Sequence, residues 1–67
     1  MKITLEAARV NAGYKQKEVA EILKVSNKTI SNWENGVSSP TVLQAERLCN
    51  LYKMSYDNII FLPSNPL

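Results

Sequence analysis

Only Lys24 and Val25 separate two helical patterns in this chain, and that short gap constrains the fold more than any other feature. Before the gap, Gln16 to Leu23 places Val19, Ala20, Ile22 and Leu23 at spacings that share one helical face, which should be buried. After it, Ser26 is a good N-cap for a second helix that carries Ile30 and Trp33 at i and i+3 and stops at Gly36. A connection this short obliges the second helix to turn sharply and lie across the first. Ala20 fits the crossing, because a small residue in mid-helix lets the two helices approach where Leu or Phe would force them apart.

With Ile30 and Trp33 facing inward, Lys28, Ser31, Asn32 and Asn35 point roughly the opposite way, and Asn27 and Thr29 flank them near the helix start. This outward strip is short, polar and nearly neutral. Such side chains donate and accept hydrogen bonds at base edges in the major groove of DNA, and Lys28 can reach guanine or phosphate. Helix capping or plain solvation competes as an explanation for Asn27, Thr29 and Ser31.

The remaining elements follow in order. Thr4 can cap a first helix with Leu5, Ala8 and Ala12 on its buried side, ended by Gly13, after which Tyr14 tucks inward. The V-S-S-P stretch from Val37 to Pro40 is a loop. Thr41 and Gln44 then make a capping box for a helix whose buried face is Val42, Ala45, Leu48, Cys49 and Tyr52, running down to Lys53. Ser55 caps a last short helix containing Ile59 and Ile60, and Phe61, Leu62, Pro63, Pro66 and Leu67 form an apolar tail. The expected architecture is an all-α, compact five-helix domain over 1–67, with the paired helices at 16–36 and the tail at 61–67.

Composition excludes several function classes. A single cysteine and no histidine leave a structural zinc site without ligands and remove the commonest general base, so an enzyme is not expected, and neither is a metal or other cofactor. Cys49 falls at a core position, where cysteine acts as a small hydrophobe. The longest apolar run, Ile59 to Leu62, is far too short to cross a bilayer, and Met1 leads directly into a helical pattern without a signal peptide; a cytoplasmic protein with no membrane partner is expected. The formal net charge of +2 permits nucleic-acid binding without establishing it. Placement adds to it: Lys15, Lys17, Lys24 and Lys28 lie in or beside the helix pair, against Glu18 and Glu21.

The pattern formed by Gln16, Ala20, Val25, Ser26, Ile30, Trp33, Glu34, Asn35 and Gly36 resembles the helix-turn-helix of the phage repressor and Cro family, also called the xenobiotic response element (XRE) family. Leu5, Ala8, Arg9 and Gly13 before it, and Pro40, Leu48, Cys49, Tyr52, Ser55 and Ile59 after it, extend the resemblance over nearly the whole chain. It implies a lambda-repressor-like fold and DNA binding, and is silent on the operator. It further implies that Gln16 and Asn35 grip phosphates, with Lys15 and Lys17 expected to assist; Asn27, Lys28, Thr29, Ser31 and Asn32, on the outward strip, are then the residues expected to read bases. In the family the arginine matching Arg9 pairs with the glutamate matching Glu34; a phosphate contact by Arg9 is the rival role. Two departures stand out: lysines occupy positions 24 and 53, where the family usually has glycine, so that either, if left-handed, carries about 1 kcal/mol of strain. Lys15 stands where Ser or Thr often caps the helix.

These features point to a sequence-specific regulator of transcription, most simply a small repressor on a palindromic operator, with no small-molecule effector. Short members of the family pair through their C-terminal end, so Ile60, Phe61, Leu62 and Leu67 are the expected homodimer contacts. The alternative is an antitoxin-type interaction subunit that binds DNA together with a toxin partner. An adjacent toxin-like gene and co-purification favour the second; tight operator binding by the isolated chain favours the first.

Overall fold

Most helices here begin where a side-chain oxygen accepts an amide that the helix itself leaves unpaired. The computed structural model describes residues 2–62; Pro63, Pro66 and Leu67 of the expected tail lie outside the described residues. Thr4 Oγ1 accepts from the Ala7 amide at 3.1 Å and opens α1, Leu5–Asn11. Lys15 has no acceptor to offer, so α2, Gln16–Leu23, starts with half a capping box: the Lys15 amide donates to Glu18 Oε1 at 2.7 Å. Ser26 Oγ accepts from the Thr29 amide at 3.1 Å and opens α3, Asn27–Asn35. Before α4, Val42–Tyr52, the Thr41 and Gln44 side chains satisfy each other's amides at 3.2 and 2.9 Å, completing the expected capping box.

The helix ends are equally local. Gly36 closes α3 at φ 76°, and Lys24 and Lys53 close α2 and α4 at φ 59° and 56°, both in the left-handed region. Around each lysine two amides fold back onto the final turn. Lys24 and Val25 donate to Glu21 and Ala20 carbonyls at 3.3 and 3.0 Å, and Lys53 and Met54 donate to Asn50 and Cys49 at the same distances.

The fifth helix is absent from the described residues. After Ser55 the chain makes one 3-10 turn, Tyr56–Asn58, and then extends as β2, Ile59–Ile60, which pairs in parallel with β1, Ile3–Thr4, so that Ile3 faces Ile59 and Thr4 faces Ile60. Ser55 caps no backbone amide; its Oγ accepts from Asn58 Nδ2 at 3.0 Å. Two adjacent β-branched residues suit a strand, and a period of two sends Ile59 into the core and Ile60 outward. Among the described residues the fold is therefore four α-helices with a small strand pair rather than five helices.

Leu5 and Ala8 of α1, Val19, Ala20 and Leu23 of α2, Ile30 and Trp33 of α3, Leu48, Cys49 and Tyr52 of α4, and Ile59 of β2 make one core. Ala45 is buried beside this core, but three other residues assigned to buried faces are exposed. Ile22 is 51% exposed because Val19, Ala20 and Leu23 centre the buried arc of α2 away from it, leaving it beside Arg47 and Leu51. Val42 is in phase with Ala45 and Cys49 but occupies the first position of α4, where no element covers it, and is 86% exposed. Ala12 follows the end of α1 and is exposed. Phe61 packs partly on the core and stacks on Tyr56 with ring centroids 4.9 Å apart.

Candidate nucleic-acid interface

Burial of Ile30 and Trp33, 1% and 5% exposed, fixes the rotation of α3 about its axis. The opposite edge is left uncovered: Asn27, Lys28 and Asn35 are exposed, and Thr29, Ser31 and Asn32 are half-buried. Asn27, Lys28 and Asn32 make no side-chain hydrogen bond among the described residues, so their donors and acceptors are available. Two neighbours are already engaged within the helix. Thr29 Oγ1 lies 2.8 Å from Ser26 Oγ, and Asn35 Nδ2 donates to Ser31 Oγ at 3.2 Å. Both contacts restrict rotamers on the exposed edge.

The start of α2 forms the other half of the surface. Lys15 and Lys17 are exposed and Gln16 is half-buried. The amides of a helix's first turn have no partner within the helix and face outward with a partial positive charge, a ready site for phosphate oxygens. Lys24 and Lys28 are exposed too, while Glu18 and Glu21 offset part of the positive field on the solvent side of α2.

Beneath this surface lies a polar knot. Arg9 of α1 donates from Nε to Glu34 Oε2 at 2.7 Å, from Nη2 to Glu34 Oε1 at 3.4 Å, and from Nη1 to the Tyr14 carbonyl at 2.9 Å. The Glu34 side chain is 2% exposed and that of Arg9 11%, so the pair is buried and the arginine faces inward rather than toward a phosphate. The hydrogen bond to Glu34 raises the guanidinium pKa above its ordinary value, outweighing the opposing effect of burial. Gln16 Nε2 also donates to Glu34 Oε1, at 2.9 Å. The Arg9–Glu34 pair is the one the family resemblance implied, and its burial decides against the rival phosphate role. The Gln16–Glu34 bond and the Tyr14 carbonyl contact were not legible in the sequence, because both depend on how α2 seats against α3.

No helix of the described residues is long and apolar enough to cross a membrane, and among those residues no group of His, Cys, Asp and Glu is placed to hold a metal ion.

Comparison with known proteins agrees with this geometry. A family model described as helix-turn-helix matches residues 5–59. The chain is 41% identical over 56 residues to the HTH-type transcriptional regulator ImmR of Bacillus subtilis, an overlap of 84% of this chain and 44% of ImmR, so it spans less than half the length of that relative. It is 27% identical over 62 residues to the uncharacterized HTH-type transcriptional regulator YgzD of the same organism, covering 92% of this chain and 94% of YgzD. No solved structure gives a significant match. Helix-turn-helix regulators are not enzymes, and the buried Ile30–Trp33 face with its open opposite edge is what such a reader requires. The chain belongs to the XRE-type helix-turn-helix family of DNA-binding proteins.

Proposed function

We propose that this chain regulates transcription as a small repressor that occupies a palindromic operator as a homodimer in the cytoplasm. The observation that carries the reading is the polar edge of α3 opposite the buried Ile30 and Trp33, exposed at Asn27, Lys28 and Asn35 and half-buried at Thr29, Ser31 and Asn32. Asn27 or Asn32 suits a bidentate contact with adenine and Lys28 a contact with guanine, a good bidentate contact contributing about 1 to 3 kcal/mol of discrimination. Thr29 and Ser31 add shorter contacts. Gln16 and Asn35 hold phosphates on either side, assisted by Lys15 and Lys17, and these contacts set the register and the salt dependence.

Two recognition helices on successive major-groove faces must sit about 34 Å apart, which needs a twofold partner. Ile60 and Leu62, 41% and 38% exposed, together with half-buried Phe61, support pairing through the C-terminal end. Val42, at 86% exposure, and Tyr56, at 60%, line the same groove as Phe61 and Leu62 and enlarge that apolar surface.

Selection of bound sequences from a random duplex pool tests the base-reading roles. The wild-type chain should enrich a palindrome, and Lys28→Ala and Asn32→Ala should each relax preference at a different position within both half-sites. Identical enriched sequences for all three proteins would remove the base-reading assignment.

A further inference from the structure

A side-chain amide can meet a phosphate only through its NH2 group, and a glutamine free to rotate presents its carbonyl oxygen about as readily. Gln16 is not free. Its Nε2 donates to Glu34 Oε1 at 2.9 Å, and a carboxylate has no proton to give, so the reversed amide would set oxygen against oxygen. One N–H is thereby engaged by Glu34, and the second has no acceptor among the described residues, on a side chain that is half-buried at the start of α2. Glu34 is itself immobilised. Arg9 holds it from Nε and Nη2 at 2.7 and 3.4 Å, and Arg9 is tied in turn to the Tyr14 carbonyl at 2.9 Å, just ahead of α2.

We propose that Glu34 is a positioning residue for DNA binding: it orients the Gln16 amide so that the outer N–H donates to a phosphate. The proposal rests on the phosphate role given to Gln16 above. Glu34 sits on α3 and Gln16 on α2, so the same carboxylate links the phosphate-gripping end of one helix to the base-reading helix. Register along the DNA then depends on a buried group that never touches it.

The test is a double-mutant cycle on affinity for the selected duplex, using Gln16→Met and Glu34→Gln, with thermal melts confirming that each protein is folded at the assay temperature. Glutamine at 34 can accept from or donate to Gln16, so it keeps the shape of the site and removes the preference for one amide orientation. Gln16→Met should bind about tenfold more weakly, as expected for a lost hydrogen bond to a charged group. Glu34→Gln should bind several-fold more weakly, and the double variant no more weakly than Gln16→Met alone. Additive losses, or unchanged affinity in Glu34→Gln while Gln16→Met is weakened, would overturn the positioning role alone. Unchanged affinity in Gln16→Met would remove the phosphate role of Gln16 and the proposal with it. Should Glu34→Gln fail to fold, the wild-type protein still decides the matter by NMR. On adding duplex, the Gln16 side-chain proton facing Glu34 should keep its shift while the outer one moves; a large shift of the inner proton would show that Gln16 leaves Glu34 on binding and overturn the proposal.

Discussion

Lys24 and Lys53 hold backbone conformations that glycine adopts without penalty, φ 59° and 56°, and both are exposed, so neither offsets the strain by burying its stem. Replacing Lys24 with Gly should raise stability by about 1 kcal/mol, the usual left-handed penalty for a residue with a Cβ. A melting temperature that stays level or falls would contradict this. Tyr52 presents a different residue-scale tension. Its ring is buried in the core, yet its hydroxyl has no hydrogen-bond partner among the described residues, and burial, then the charge of Glu34, pushes its pKa well above the ordinary 10.0. Burial raises the Cys49 thiol above its ordinary 9.0 as well. Both groups are neutral when protonated, and the unfolded chain ionises them first. Their contribution is therefore intact below the unfolded pKa values and is lost as pH rises past them. Melting temperature should fall as pH is raised beyond about 9 to 10, and Tyr52→Phe should both raise stability at neutral pH and flatten that fall. A Phe variant as alkali-sensitive as the parent would sink the explanation.

At the scale of elements, the Arg9–Glu34 pair pins α1 to α3, and Gln16 joins α2 to the same carboxylate. Removing one member leaves the other charge buried and unpaired, at a cost of about 3 to 5 kcal/mol, so Arg9→Met should come close to unfolding a domain this small. Glu34→Leu added to Arg9→Met should recover much of the loss, because an apolar pair of similar volume removes the desolvation penalty along with the attraction. Denaturant titrations of the four proteins measure the coupling, and a value near zero would mean that the pair does not hold the helices together. The helix pair and the start of α4 were legible in the residues: the Ser26 cap, the Gly36 terminator and the Thr41–Gln44 capping box are short-range features, and each stands where its spacing placed it. The fifth helix was not legible. Ser55 with two isoleucines four and five residues on reads locally as a capped helix, and only the presence of Ile3 alongside makes a strand the better burial for Ile59.

For the whole molecule, β1 and β2 bring the first and last described segments together, so Ile60 lies beside Thr4, just ahead of α1. The apolar side chains there are not all absorbed. Phe61 is partly covered by the core and Tyr56, while Ile60 and Leu62 remain open to solvent. Leu62→Asp should leave the melting temperature of the dilute protein nearly unchanged, since the side chain is already 38% exposed, while weakening binding to a palindrome more than to a single half-site. Sedimentation of each protein with duplex measures the stoichiometry. Equal loss on both duplexes, or no loss on either, would remove this end of the chain from the proposed dimer contact.

Sequence alone settled the helices of the reading unit, their caps and the inward set of Ile30 and Trp33, because each follows from spacing within a few turns, while the family resemblance suggested the pairing of Arg9 with Glu34 and the structure chose it over a phosphate contact. Which apolar residues stay outside, how the last segment pairs and where the Gln16 amide points were decided in three dimensions. Ile22, Val42, Ile59 and Gln16 take their roles from what lies across from them, and a one-dimensional pattern carries no record of that neighbour.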